Sequence, residues 1–313
     1  MNSKQPTISP DAKGIARAAS ILRDGGLVVM PTETVYGLAA RADSADAVAQ
    51  IYRTKGRPDF NPLIVHVASL AMAKDLAVFD GVAEQLAHEY WPGPLTLVLP
   101  LMVSAGIVPA VTAGLGTIAL RQPSHPVAAR LLQELALPLA APSANRSNGV
   151  SPTHPDHVLA SLGDGAPPII DGGACDAGLE STIVALDPAA RWRLLRPGPI
   201  AVEDLERLLG GQAKSRGATV EAPGQLRKHY SPGKPVFLDQ AQPSDDCFMI
   251  GFGNVAGDVN LSPSSDLAEA ASQLYTLLHR AAVSDRGCIC VAPIPKIGMG
   301  LAINDRLWRA AAP

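Results

Sequence analysis

At 313 residues with 47% apolar side chains, the chain is long enough for about two domains, each with its own hydrophobic core. Its formal net charge of −3 excludes a general basic field, so any contact with RNA would need a local basic patch. Residues 1–6 contain no apolar signal core, and no run of about 18 uncharged apolar residues follows. We therefore expect a protein of the cytoplasm.

The first two hundred residues alternate between helix-like and strand-like patterns. Ser9-Pro10-Asp11 is typical of a helix start, apolar residues then recur at helical spacing, and Gly25-Gly26 ends the run. Further helices are predicted at 44–54 and 126–135, which favours an α/β fold with a helix-covered mixed sheet. The predicted strands cover residues 27–30, 63–67, 95–99, 117–121, 138–141, 181–186 and 192–195.

A polar segment separates this region from a smaller one. After a helix predicted at 202–209, residues 210–235 are rich in glycine and proline and show no apolar periodicity, which is typical of a linker. Strands and helices are again predicted beyond it. We therefore divide the chain into a larger α/β domain at 1–209, a linker at 210–235 and a small α/β domain at 236–313 that should dock on the first.

The four cysteines stand at positions 175, 247, 288 and 290, too few and too scattered for a disulfide framework in a chain of this size. We therefore expect reduced thiols. Cys288 and Cys290 would point to the same face of a strand, but zinc would need two further ligands at close spacing. The pattern favours buried thiols over a metal site.

Polar side chains gather at the ends of two apolar strands, where α/β proteins build ligand sites. The run PTETVYGL at 31–38 follows the first strand, and Thr32, Thr34 and Tyr36 would share one face if the segment is extended. Such a face is a hydroxyl-lined wall. His66 ends the second strand; in isolation it would be a strand histidine bonded within its surroundings, but it closely follows a cationic turn.

Four cations lie at helix or strand ends. Lys55 and Arg57 project from the turn KGRP at 55–58, where each could simply complement the negative end of a helix dipole. Arg121 and Arg196 also follow strands, so the four together indicate a polyanion site. Because the sequence has no G-x-x-x-x-G-K-[ST] loop, side chains and loop amides would have to hold a nucleotide triphosphate.

Two hydroxyl residues at strand ends complete the candidate site. Ser143 stands in the run AAPSAN at 140–145, where small residues would let a ligand approach the backbone. Ordinary turn chemistry explains serine and asparagine there equally well. Ser181 opens a predicted strand and is as easily a strand-end hydroxyl as a ligand contact.

Together with WPGPLT at 91–96 and SAN at 143–145, these motifs resemble those of the threonylcarbamoyl-AMP synthase family, the YrdC-type tRNA-modification enzymes. The resemblance extends over nearly the whole chain. The run PGQLRKHYSPG at 223–233 resembles the linker signature of the long-form members, and NDRLWRA at 304–310 resembles their closing helix.

The resemblance implies a twisted mixed sheet of YrdC type with helices, followed by a linker and a smaller Rossmann-like C-terminal α/β domain. It implies a nucleotidyltransferase that condenses L-threonine, bicarbonate or CO2 and ATP into threonylcarbamoyl-AMP and pyrophosphate. Magnesium is expected with the triphosphate and should be held chiefly by the oxygens of the triphosphate, because no clustered carboxylates indicate a protein-made metal site. The implied partner is a downstream tRNA threonylcarbamoyl transferase, with weak tRNA contact at most and no membrane.

The resemblance also implies roles for single residues at the matching positions. Apart from the resemblance, His229 and Tyr230 stand in a polar segment with no core of its own to join, so we expect the linker to cross the mouth of the site as a lid, with a passive tether as the alternative. The threonine-binding role falls on Thr34, His66, Arg121, Ala141 and Ser181. The ATP-binding role falls on Lys55, Arg57, Asn61, Thr117, Ser143, Ser151, Arg196 and Tyr230.

Three other classes of protein compete with this interpretation. A hydrogenase-maturation carbamoyltransferase shares the YrdC-type domain but resembles a much longer chain with zinc-finger C-x-x-C pairs, which this sequence lacks. An RNA-binding module without catalysis would need a basic face and would bind tRNA without ATP. A nucleotide-sensing protein would bind ATP without releasing pyrophosphate.

Overall fold

A computed structural model describes residues 7–58, 60–187, 192–211, 221–224, 229–242 and 245–312 of the chain. The expectation for residues 1–6, and the parts of the predicted linker at 212–220 and 225–228, lie outside the described residues. None of the helices within the described ranges combines the length and the apolar character that crossing a bilayer requires.

The larger sheet is mixed, as predicted, and counts ten strands in the described part of the chain. The strands are β1 Thr7–Ile8, β2 Val28–Met30, β3 Gly37–Arg41, β4 Ile64–His66, β5 Leu95–Pro100, β6 Thr117–Arg121, β7 Leu139–Ala140, β8 Ile169–Ile170, β9 Thr182–Leu186 and β10 Trp192–Arg196. Their spatial order is β1-β8-β2-β3-β7-β4-β6-β5-β9-β10. β4 pairs in parallel with β6, whereas β5 pairs with β6 in the antiparallel direction.

Helices accompany this sheet, and their ends follow local sequence signals. The side chain of Asp11 accepts from Gly14 N at the start of the first, and Ser44 accepts from Ala47 N at the start of the second. Gly56 ends the second helix at φ 59°, a left-handed conformation that suits glycine. The helices are α1 Ala12–Arg23, α2 Ala45–Lys55, α3 Leu70–Leu76, α4 Gly81–Tyr90, α5 Pro109–Thr112, α6 Pro126–Leu135, α7 Pro155–Leu162 and α8 Val202–Leu209.

The larger sheet is buried on both faces. Val28 and Met30 of β2 pack in one buried cluster with apolar residues of α1 and α6, whereas Val29 packs in another with residues of α2 and α4. This follows from the two-residue period of a strand, which points successive side chains to opposite faces. With both faces covered, a ligand has access to this sheet at the ends of its strands.

A smaller parallel sheet follows, with spatial order β11-β14-β12-β13, and confirms the predicted second α/β unit. Its helices are α9 Leu267–Ala282 and α10 Met299–Ala310. The domain boundaries at 209 and 235 stay a proposal. The strands are β11 Val236–Phe237, β12 Cys247–Gly251, β13 Val259–Asn260 and β14 Cys288–Val291.

The expectation of reduced thiols is wrong for two of the four cysteines. Cys247 on β12 and Cys288 on β14 lie opposite each other in register, with their Cα atoms 4.5 Å apart, and a disulfide joins them. Cys175 and Cys290 are free and buried. Sequence spacing could not reveal this pairing, because it depends on the register of two strands that are 41 residues apart along the chain.

Candidate active site

One cavity opens where strand ends of the larger sheet meet described residues of the linker. Its empty space, counted to the open mouth, is about 540 Å³. Most of the predicted site residues lie together in the lining of this cavity. All five residues of the threonine set line it, as do four of the ATP set, namely Arg57, Ser143, Arg196 and Tyr230.

Arg121, at the end of β6, carries the positive charge of the threonine side. Its Nη1 donates to Thr34 Oγ1 at 2.7 Å and its Nε donates to Gly93 O at 3.1 Å. Its Nη2 lies 2.7 Å from Glu33 Oε1, although neither atom has a well-aligned hydrogen bond within the described residues. Burial alone would raise the pKa of Glu33, but the ion pair with Arg121 outweighs burial and lowers it to about 2. The guanidinium is thus held firmly beside space that a ligand carboxylate could enter.

His66 ends β4 directly opposite Arg121 in the parallel register. Its side chain is buried, and its Nδ1 has no hydrogen-bond partner among the described residues. Burial, with the charge of Arg121, lowers the pKa of His66 to about 3. The imidazole is therefore neutral near pH 7 and can accept or donate one hydrogen bond to a ligand.

Two of the three residues that were predicted to form a hydroxyl-lined wall are found in the lining of the cavity. Thr32 Oγ1 donates to Val35 O at 2.7 Å and accepts from Thr34 N at 3.2 Å, so the chain turns here instead of running extended. Thr32 and Thr34 line the cavity, but Tyr36 points away and donates its hydroxyl to Gly173 O at 2.7 Å. The alternation that would have placed Tyr36 in the wall fails because of this turn.

Arg57 enters the cavity from the turn after α2. Its Nε donates to Asn61 O at 3.3 Å and its Nη2 donates to Pro62 O at 3.0 Å. Burial lowers its pKa to about 10, so the guanidinium stays charged at neutral pH. Because its acceptors are neutral carbonyls, the charge is available to an anion.

Arg196, at the end of β10, lies beside Ser181. Its Nε donates to Ser181 O at 3.1 Å, its Nη2 donates to Ser181 Oγ at 3.1 Å, and its Nη1 donates to Pro223 O at 3.4 Å. The Ser181 hydroxyl also shares a 2.7 Å hydrogen bond with Thr96 Oγ1. A residue of the predicted ATP set therefore touches a residue of the predicted threonine set.

Lys55 lies behind the cavity wall instead of lining it. Its Nζ donates to Ser143 O and to Asn145 O, both at 2.5 Å, and lies 3.4 Å from Asn145 Oδ1. Burial and the nearby charge of Arg57 lower its pKa well below the usual value. Its visible role is to hold the loop that carries Ser143.

Three other residues of the predicted ATP set stand outside the cavity lining. Asn61 is buried, with no hydrogen bond to its Oδ1 among the described residues. Thr117 begins β6 opposite Pro100 on β5. Ser151 donates its hydroxyl to Glu180 Oε1 at 2.5 Å and so contacts the cavity through that carboxylate.

Tyr230 brings the linker into the site. Its side chain is 1% exposed, its φ is 63°, and its ring is 4.0 Å from the ring centre of His229. Burial lowers the pKa of His229 to about 3, so this imidazole is also neutral. Pro223 and Gly224 line the same side of the cavity.

Sequence reasoning assigned no role to Glu180, which lines the cavity just before β9. Its position before Ser181 carries no signal of its own, since its partners on α9 and α10 lie 95 and 126 residues further along the chain. The described residues include no cluster of three or more His, Cys, Asp or Glu side chains that could hold a metal ion. Because the carboxylate of Glu180 already accepts three hydrogen bonds, the donor set does not fit a protein-held magnesium ion.

Comparison with known proteins places these features in a family. The family model described as telomere recombination, which covers Sua5, YciO and YrdC, matches residues 20–198. The model described as threonylcarbamoyl-AMP synthase, C-terminal domain, matches residues 200–312. The fold is thus that of a YrdC-type α/β protein with a Sua5-type C-terminal unit. The chain belongs to the threonylcarbamoyl-AMP synthase family.

Individual relatives match over nearly their full length. The threonylcarbamoyl-AMP synthase of Bacillus subtilis is 37% identical, over 97% of this chain and 94% of its own. The crystal structure of Pyrococcus abyssi Sua5 complexed with L-threonine aligns with a TM-score of 0.89 and 33% identity, over 99% of this chain and 98% of its own. Escherichia coli YciO aligns with 63% of this chain, and 96% of its own, at a TM-score of 0.55 and 26% identity.

Proposed function

We propose that the chain is an L-threonylcarbamoyladenylate synthase, a nucleotidyltransferase that condenses L-threonine, bicarbonate or CO2 and ATP into threonylcarbamoyl-AMP and pyrophosphate. The observation that carries this proposal is the 3.1 Å hydrogen bond from Arg196 Nη2 to Ser181 Oγ. It joins an arginine that is suited to binding a triphosphate to a hydroxyl group of the side of the cavity that is suited to binding an amino acid. Relatives named threonylcarbamoyl-AMP synthase support the same activity.

The threonine side matches the groups of a free amino acid. Arg121 lines the cavity and, although it is already paired with Glu33, presents a positive charge that suits the substrate carboxylate. The neutral ring of His66 can accept from the substrate's amine or hydroxyl. Ala141 leaves room for a small side chain. We assign threonine binding to these three residues together with Thr34 and Ser181.

The nucleotide side has charges that suit a triphosphate. Arg57 and Arg196 both line the cavity, and their hydrogen bonds in the structure run to neutral oxygens. Guanidinium forks bind phosphate oxygens with paired, charge-assisted hydrogen bonds. We assign ATP binding to these two arginines with Ser143 and Tyr230, and retain Lys55, Asn61, Thr117 and Ser151 as residues of the same set.

The proposed reaction needs two bond-forming steps within one enclosed site. The amine of threonine attacks bicarbonate with loss of water, or CO2 with loss of a proton to solvent, to give a carbamate. A carbamate oxygen then attacks the α-phosphorus of ATP while pyrophosphate leaves. Arg121 and His66 would orient threonine, and Arg57 and Arg196 would stabilise the charge on the phosphates. Positioning and electrostatics supply the rate, as in other phosphoryl chemistry.

Tyr230 and His229 would close the site. Both line the cavity from the linker, so we propose that residues 210–235 act as a lid that keeps water from the carbamate. We expect ATP to enter as its magnesium complex, with the metal held by phosphate oxygens. We further propose a cytoplasmic location, where ATP and tRNA occur together, and delivery of the product to a tRNA threonylcarbamoyl transferase with weak tRNA contact at most.

Pyrophosphate release under substrate omission tests the proposal. Release should require ATP, threonine and bicarbonate together, and L-serine should be a poorer substrate by about 1–3 kcal/mol, because a small pocket discriminates one methyl group only weakly. ATP binding without pyrophosphate release would favour a nucleotide-sensing protein. Release independent of threonine or bicarbonate would contradict the proposed reaction.

A further inference from the structure

Glu180 is a buried carboxylate in the cavity wall to which the proposed reaction gives no role. Ser151 Oγ donates to its Oε1 at 2.5 Å, the Tyr275 hydroxyl donates to its Oε2 at 2.7 Å, and Arg306 Nε donates to its Oε2 at 2.9 Å. Tyr275 lies on α9 and Arg306 lies on α10. The carboxylate therefore joins the helices of the smaller sheet to the wall of the cavity.

Arg306 contacts a second side chain of the cavity as well. It is fully buried, and its guanidinium carbon lies 5.5 Å from the centre of the Tyr230 ring. Tyr230 in turn stacks on Tyr275, with ring centres 5.6 Å apart and planes inclined by 27°. One arginine of α10 thus contacts both the cavity carboxylate and the cavity tyrosine, a geometry typical of a cation–π contact for the latter.

The ion pair between Glu180 and Arg306 also determines the charge close to Arg196, on the side of the cavity assigned to ATP. Among the described residues that line the cavity, Glu180 is the one with an acidic side chain. Burial would raise its pKa, but the charge of Arg306, with a further contribution from Arg196, lowers it to about 2, so it is ionised at neutral pH. Arg196 nevertheless donates to neutral oxygens of Ser181 and Pro223. Arg196 already donates to Ser181, the residue next to Glu180, and its charge acts on the same carboxylate, so with Arg306 removed it would be the cation left to pair with Glu180.

Docking of the smaller sheet does not by itself require this ion pair. Val35, Val150 and Leu179 already share a buried apolar cluster with α9 residues, including Leu274. A buried ion pair adds little net stability, because desolvation offsets most of the attraction. Glu180 stands at the cavity wall, directly before the residue to which Arg196 donates, and this placement points to a role in the site itself.

We propose that Arg306 is a positioning residue that neutralises Glu180, so that Arg196 stays free to bind a phosphate group. This inference rests on the proposed function, because it assigns the phosphate to ATP. The smaller sheet then contributes to ATP binding without supplying a group that touches the reacting atoms.

The test compares a single with a double substitution. Arg306→Met keeps an unbranched apolar side chain but leaves Glu180 without its arginine. We expect KM for ATP to rise by about 10-fold or more as Glu180 turns to Arg196, since a hydrogen bond to a charged group is worth roughly that factor. KM for threonine should change by less than about 3-fold.

The double variant Glu180→Gln/Arg306→Met removes the competing carboxylate and should return KM for ATP to within about 3-fold of the unsubstituted protein. A structural docking role predicts instead that KM for threonine rises together with KM for ATP in Arg306→Met, because an unpaired buried charge would destabilise the whole docked unit. A double variant as weak as the single one, or weaker, overturns the proposal. Arg309→Met is the matched control, because it removes another buried arginine of α10 that pairs with Asp305.

A milder pair of variants keeps the test decisive if Arg306→Met does not fold. Tyr275→Phe removes one donor to Glu180 and should weaken ATP binding by about 3-fold, and this effect should vanish in a Glu180→Gln background. Equal effects in both backgrounds would contradict the proposal. Calorimetric binding of ATP alone, measured on the full chain, separates the two claims: it tests the positioning role even if no pyrophosphate is released.

Discussion

His66 and Arg121 lie directly opposite each other at the ends of two neighbouring parallel strands, β4 and β6. The pairing places an imidazole next to a guanidinium that is itself paired with Glu33 at 2.7 Å. In this environment a second positive charge on His66 is unfavourable, because burial and Arg121 both act against it. The result is a polar wall whose histidine stays neutral while its arginine stays charged.

The neutral state of His66 predicts a pH-dependent loss of stability. The folded-state pKa is about 3 and the ordinary value is 6.5, so protons bind the unfolded chain preferentially between these values. The contribution of His66 is therefore present above pH 6.5 and is lost as the pH falls towards 3. When the pH falls from about 7 to about 5, the unfolding free energy of the unsubstituted protein should fall by about 2 kcal/mol more than that of the His66→Gln variant.

Urea unfolding at both pH values measures this difference. His88→Gln, at an exposed position on α4, is the control and should leave the pH dependence unchanged. An equal acid-induced loss in the His66 variant and in the unsubstituted protein would show that the histidine does not titrate as a buried neutral group.

Arg57 should matter for turnover more than for folding. Arg57→Ala should reduce kcat/KM by about 10²–10³, because the guanidinium would stabilise charge on the phosphates. Arg57 donates to neutral carbonyls, so its removal leaves no buried charge without a partner. The unfolding free energy of the variant should therefore stay within about 1 kcal/mol of that of the unsubstituted protein. Arg57→Lys should restore only part of the activity, since an ammonium lacks the fork.

Steady-state kinetics and thermal unfolding of the three proteins check this prediction. Arg53→Ala, an exposed arginine in the last turn of α2, is the matched control for a loss of charge at the helix end. If the Arg57 and Arg53 variants were equally active, Arg57 would serve only the helix dipole.

Lys55 should act through the loop that carries Ser143. Lys55→Met removes the donor to Ser143 O and Asn145 O and leaves the buried Asn145 carbonyl without a partner, so we expect a loss of about 1–3 kcal/mol in unfolding free energy. KM for ATP should rise with it. Chemical unfolding and kinetics give both values, with exposed Lys13→Met as the control. A variant of unchanged stability but lost ATP binding would mean that Lys55 binds the nucleotide directly.

The lid proposal predicts protection from proteolysis. Because Tyr230 and His229 line the cavity, bound ATP and threonine should hold the linker and slow tryptic cleavage at Arg227 and Lys228 by about 10-fold, as expected for a closing lid. Tyr230→Ala should lose most of this protection. Mass spectrometry of the early fragments measures it, and cleavage that is equally fast with and without ligands would favour a passive tether.

Local sequence signals predicted much of the fold. The strand at 117–121 and the helix at 126–135 have the predicted bounds, because each has a clear period and a clear end signal. No strand was predicted at Gly37–Arg41, although β3 forms there, because glycine and alanine have low strand propensity and pairing with β2 and β7 decides its structure.

The candidate site was predicted in part for a related reason. Arg57, His66 and Arg121 follow recognisable strand or helix ends, and all three line one cavity. Tyr36 was misplaced because a local turn breaks the alternation, and Glu180 carried no signal because its partners come from distant helices. Contacts of that kind depend on tertiary packing, which residue spacing does not encode.

The central claim is that one cavity joins threonine, a bicarbonate-derived carbon and the α-phosphate of ATP. Incubation with ¹³C-bicarbonate, threonine and ATP, followed by mass spectrometry of the reaction mixture, tests it most directly. The account predicts one new species that contains threonine, the labelled carbon and AMP, formed in equal amount with pyrophosphate. Release of pyrophosphate with no such labelled species would contradict it.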